Sequence, residues 1–330
     1  MYARLPCAAL AAFLAVACGE PDPADIAVTA EPAALFPGDP GRTRIGALRY
    51  AGGLVLDSGD GAFGGWSAME LSDDGSRLLA LSDNGAWMTA HLRFEDGALA
   101  GLSQARLAPV LGRDGGSLAG EAADAEGLAQ LGDGRFAVSF ERAHRIAVFE
   151  LGADWSGIET ARETEFPAPP GAARLRNNAG IEALAADDSR LYAGVEDPIV
   201  SGQPHTLWVY DRTAPSEPPR ALQLAIEPGF GLTALTMGPD GALYIVERFW
   251  ARDVGNRIRI ARLSADVLAA PGGALLTPER LAEITPEMTV DNIEAAAFAE
   301  VDGAPMLVLM SDDNFNAAQR TLLLAFRLED

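Results

Sequence analysis

IEALAADDSRLYAGVED, residues 181–197, alternates apolar and polar or small residues over two short runs, turns at Asp-Asp-Ser and ends on acids. That is the pattern of two β-strands joined by a tight turn. It recurs as WSAMELSDDGSRLLALSDN (66–84), AEGLAQLGDGRFAVSFER (125–142), LTALTMGPDGALYIVER (232–248) and IEAAAFAEVDGAPMLVLMSDDN (293–314). With Ser67, Glu126, Glu182, Thr233 and Glu294 taken as equivalent, the spacings are 59, 56, 51 and 61 residues. A strand-turn-strand unit repeated at that period predicts the blades of an all-β propeller.

Two further strand-like stretches follow most copies: RIAVFEL (145–151) and ETEFPAP (163–169), HTLWVYD (205–211) and RALQLAI (220–226), RIRIARL (257–263) and ERLAEIT (279–285). Each unit is therefore a four-stranded blade. The last unit stops one strand short after TLLLAFRL (321–328), while RIGALRY and GLVLDS (44–58) precede the first copy unassigned. Five blades closed by the N-terminal strand remove the exposed edges. Six blades are the alternative, if 44–58 and part of a long loop form a blade of their own. Weak helical stripes occur only near 264–283.

Around this domain, assigned to 44–330, composition narrows the chemistry. The chain of 330 residues is 48% hydrophobic and carries a formal charge of −22, and all 25 of its basic residues are Arg. Schiff-base lysines and a Walker lysine are excluded, and the charge repels nucleic acid. Residues 1–17 carry Arg4 and then an apolar run from Leu5 to Ala17 too short to span a bilayer, the pattern of a signal peptide. Its end fits either an Ala15-Val16-Ala17 peptidase site or an imperfect lipobox, Leu14-Ala-Val-Ala-Cys18. The second predicts a lipid on Cys18 followed by a Pro-rich tether over 18–43, and hence a monomeric periplasmic protein, on the inner or outer membrane, that meets the membrane only through that lipid. A secreted protein is the alternative. Cys7 leaves with the signal, so the mature chain has no disulfide.

In a propeller, repeat-equivalent positions converge on one axis. The first strands bring Glu126, Glu182 and Glu294, and the second strands end in Asp83, Glu141, Glu196, Glu247 and Asp312. Eight carboxylates at one mouth repel one another unless cations sit among them, and Ca²⁺, which takes six to eight oxygens, suits such a set. A lone acid after a strand is ordinary turn chemistry; five at one repeat position are not. Arg142, Arg248 and Arg320 adjoin these acids and suit an anionic substrate group. Asn178, Asn292 and Asn314 supply further oxygens, with Asn177 and Asp291 beside them. Asp312-Asp-Asn-Phe-Asn316 has a calcium-loop spacing but lacks the Gly and distant Glu of an EF-hand. Other matches fail: Gly59-Asp-Gly-Ala-Phe-Gly64 precedes a strand where a Rossmann helix is needed, Ser67 lacks the last Gly of a nucleophile elbow, and His91, His144 and His205 are isolated. Trp66, Trp87 and Phe249-Trp250 read as blade packing, or in Trp250 as a stacking platform on the rim.

The units FGGWSAMELSDDGSRLLALSDNG, NNAGIEALAADDSRLYAGVED, YIVERFW and above all DNIEAAAF and SDDNFNAAQRTLLLAFRL resemble the bacterial "esterase-like activity of phytase" family, over about residues 44–328. The resemblance implies a calcium-associated propeller and an exported hydrolase of phosphate or other anionic small-molecule esters. On that reading Glu126, Glu182 and Glu294 are catalytic, Arg142, Arg248, Arg320, Asn178 and Asn292 bind substrate, and Asp83, Glu141, Glu196, Glu247, Asp312 and Asn314 hold metal. A propeller that only binds a ligand or partner, and a glycan-acting one using two carboxylates, are the alternatives.

Overall fold

A computed structural model describes residues 25–177 and 179–329. Their strands form five sheets, antiparallel except where Leu275–Leu276 pairs parallel with Arg220–Leu224. The innermost strands are Trp66–Leu71, Ala125–Gly132, Ile181–Ala186, Gly231–Met237 and Asn292–Val301. Each innermost strand packs against those of the two adjoining sheets, and Asn292–Val301 returns to Trp66–Leu71, so the ring closes with five blades. Among the described residues there is no sixth blade: 48–58 belongs to blade 5.

The alternating pattern follows from this geometry. A blade is buried on both faces, and its side chains feed one of five apolar clusters, one at each interface between neighbours. Trp87 meets Phe149 across the interface of blades 1 and 2 with ring centroids 5.5 Å apart, and Trp66 is likewise fully buried. The helical stripe near 264–283 yields only the single turn Ala265–Leu268; the rest pairs as Leu275–Leu276 and Glu279–Ile284.

Blade 5 is closed from the N-terminus: Leu48–Ser58 runs antiparallel to Thr321–Leu328, with Leu56 opposite Thr321. The two strands read from sequence in this region are one, continuous through Gly52-Gly53, with Arg44–Ile45 hooked onto its start. The tether needs a larger correction. From Asp25 onward it belongs to the propeller. Asp25–Ile26 pairs with Ala105–Arg106 of blade 1, and Val28–Pro32 pairs with Leu54–Ser58 of blade 5. Leu35 and Phe36 are then buried with Ile258, Ile284 and Met288 between blades 4 and 5. Prolines misled because an outermost strand needs donors on one side only, and Pro32 sits at the strand's end. The segment thus straps three blades together from outside. Leu35→Ala should cost about 2–5 kcal/mol in a denaturant titration, and an unchanged midpoint would mean that the strap does not hold the ring. Residues 1–24, with the signal and Cys18, lie outside the described residues.

Candidate functional site

Every innermost strand breaks its ladder at the same place. Register jumps from Trp66 to Ala68, Ala125 to Gly127, Ile181 to Ala183, Leu232 to Ala234 and Ile293 to Ala295. The residues skipped are Ser67, Glu126, Glu182, Thr233 and Glu294, the five equivalent positions of the repeat. A bulge leaves one residue unpaired and re-aims its side chain; these five line the central channel.

The residue pair just before each bulge fixes a second tier. Trp66 faces Ser82, Ala125 faces Phe140, Ile181 faces Val195, Leu232 faces Glu247 and Ile293 faces Ser311. One step along the second strands therefore stand Asp83, Glu141, Glu196, Arg248 and Asp312. The fourth of these corrects the sequence reading. Glu247 is not a ring acid: it shares the buried register position of Ser82 and Phe140, and its Oε2 lies 3.3 Å from Arg259 Nη1. A one-residue step along a strand exchanges its faces, so the neighbouring Arg248 points where an acid was expected.

Contacts link the two tiers. Carboxylate oxygens of Asp124, Glu126 and Glu141 lie within 4.8 Å of one another, as do those of Glu141, Glu182 and Glu196. Arg248 Nη2 stands 3.5 Å from both Glu196 and Glu294. Asn292 Nδ2 donates to Glu294 Oε1 at 2.8 Å and to Asp312 Oδ2 at 3.4 Å. Asp83 feels Asp312 on one side and Asp124 on the other, which completes the circle. Asp124 was missed in the sequence, though it is the register equivalent of Asn292 and an acid directly ahead of an inner strand.

The remaining residues divide. Arg142 is half-exposed and pairs with Asp124 at 3.1 Å, at the edge of the ring. Arg320 pairs with Asp291 at 3.4 Å and donates to the Val290 carbonyl, which puts its guanidinium on the loop beside the mouth and not among the ring acids. Asn314 donates its backbone N–H to Asp312 Oδ1 at 2.6 Å, but it is exposed, in a left-handed turn, so its contribution is the turn and not a side-chain ligand. Asn178 lies outside the described residues.

Burial, followed by mutual repulsion, raises these carboxyl groups. Asp312 is pushed up to about 6, Asp83 to about 7 and Glu294 to about 8. Glu126 and Glu182 are driven well above the usual carboxylate range, first by burial and then by their neighbours. Eight acids thus share a mouth with Arg248 and, at its edge, Arg142, and they cannot all ionise at neutral pH without further positive charge. Their donors are hard oxygens; among the described residues no thiol or imidazole joins either cluster. The set fits a hard divalent ion such as Ca²⁺.

Fold and mouth together define a five-bladed propeller with an acidic, cation-ready axis. The chain belongs to the phytase-like family described as "esterase-like activity of phytase", whose sequence model matches residues 61–315. No curated protein matches it significantly. Similar solved structures include the WD40 repeats of RRP9, at 10% identity and TM-score 0.43, covering 87% of this chain and 100% of that one. U3-55K is similar at 12% identity and TM-score 0.41, covering 94% of this chain and 100% of that one.

Proposed function

We propose that the mouth holds Ca²⁺ and that the protein hydrolyses phosphate or other anionic esters there. The observation that carries this reading is the pair of three-carboxylate clusters sharing Glu141, set beside the Arg248 guanidinium. Asp124, Glu126, Glu141, Glu182 and Glu196 would hold the ion, which when bound supplies charge neutralisation and an acidified water. Arg248 is placed to hold an anionic oxygen of the substrate by a charge-assisted hydrogen bond. Glu294, raised to about 8 and held between Asn292 and Asp312, is placed to pass a proton to a leaving group. The same reading includes export and a lipid on Cys18. Because Asp25 is already paired to blade 1, a lipid on Cys18 would make the propeller work close to its membrane.

Glu294→Gln keeps the shape and removes the proton transfer. It should lower kcat at least ten-fold, about 1.4 kcal/mol or more, on whichever of phenyl phosphate, phytate or an acyl ester the wild type cleaves. Glu150→Gln, at an exposed position on blade 2 away from the axis, should be silent. Equal effects at both positions, or hydrolysis indifferent to chelation, would refute the reading.

A further inference from the structure

Blades 3 and 4 leave between them a cavity of about 610 Å³ that opens beside the mouth, with Glu196 and Arg248 common to both. Its apolar wall includes Trp250, Leu275, Ile226 and Pro204. Trp250 is 61% exposed, whereas Trp66, Trp87, Trp155 and Trp208 are all buried. An uncovered indole against a cavity next to a charged centre is how a ligand pocket is built, with apolar walls and a few polar groups that fix orientation. Two of the polar groups are unsatisfied. His205 lines the cavity, is 6% exposed and has no hydrogen-bond partner at Nε2; Arg248 Nε is buried and also lacks one. A buried polar atom left without a partner costs free energy that a ligand atom would remove.

The charge of the mouth limits what can enter. Arg248 is the guanidinium set between two ring acids, Glu196 and Glu294, whereas Arg142 is tied to Asp124 at the edge. One fork suits one anionic group; a polyanion would meet the acids with the rest of its charges. We propose that the cavity is the subsite for the organic part of the substrate, and that the preferred substrates are esters with one anionic group and a flat aromatic substituent. The anion lies on Arg248 and the ring against Trp250. The inference rests on the hydrolase reading for its chemistry, but not for its binding.

Calorimetric titration of the Ca²⁺-loaded protein with phenylphosphonate and methylphosphonate, neither of which can be hydrolysed as an ester, separates the two. Phenylphosphonate should bind at least about ten-fold more tightly and, at saturation, should protect Trp250 fluorescence from acrylamide. Trp250→Ala should reduce phenylphosphonate to the affinity of methylphosphonate, and Trp250→Phe should restore most of the difference. Equal affinity of the two probes, or phenylphosphonate affinity unchanged in Trp250→Ala, overturns the assignment. Phenyl preference in a protein that cleaves no ester would contradict the hydrolase reading and leave the cavity assigned. Turnover without phenyl preference would contradict the cavity alone.

Discussion

Stripped of divalent ions, the protein should become less stable to heat as pH rises from about 5 to about 8.5, and Ca²⁺ should reverse the loss. Asp312, Asp83 and Glu294 titrate in the folded protein at about 6, 7 and 8, well above their ordinary values. Between the unfolded and folded pKa values the native state holds more protons than the unfolded chain. The stability these groups contribute is therefore complete below the unfolded pKa and is lost as pH climbs through 6 to 8. Asp74, held down to about 2 by hydrogen bonds from Ser72 and Ser76, acts oppositely, but only in more acidic solution. At a hundred times its dissociation constant Ca²⁺ adds about 2.7 kcal/mol, a rise of about 5 °C for a domain of this size. Scanning calorimetry at several pH values, with chelator or with Ca²⁺, checks both arms. A chelated melting temperature flat across this window would mean that the carboxylates do not crowd as described.

Arg248→Met should be the most damaging single change to the mouth. The guanidinium sits between Glu196 and Glu294, with 23% of its side chain exposed, and burial dominates the titration of both partners. Removing one member of a buried pair costs about 3–5 kcal/mol because the other charge is left unmatched, and partial exposure here brings the expectation to about 2–4 kcal/mol. The loss should be larger at pH 8, where Glu294 ionises, than at pH 5, where it holds its proton. Binding of anionic probes should fall at both. Urea titrations at the two pH values distinguish this from simple loss of packing, which would cost the same at each.

What could be read from sequence is what repeats locally. Alternation, Asp-Gly turns and the spacing of Glu126, Glu182 and Glu294 each follow from a few adjacent residues, so blade number, closure and the inner acids were legible. The bulges that aim those acids were not, because a bulge is a relation between two strands. Glu247 and Arg248 show the cost: in Ile-Val-Glu-Arg, period two cannot say which of the adjacent charges faces the axis, and the acid was the wrong choice. Asp124 was hidden by starting its repeat copy one residue late. The strap at 25–36 looks like a linker because its strands, Asp25–Ile26 and Val28–Pro32, are short and carry proline at the edge.

Proton release on Ca²⁺ binding tests the central claim most directly. If protonated Glu182, Glu126 and their neighbours become ligands, the ion must displace their protons. Calorimetric titration of Ca²⁺ at pH 7 in two buffers of different ionisation enthalpy should give saturable binding with about one or more protons released per ion. Release should fall in Glu182→Gln and stay unchanged in Glu150→Gln. Absence of saturable binding, or binding without proton release and indifferent to Glu182→Gln, would contradict a cation held by the buried carboxylates of the channel mouth.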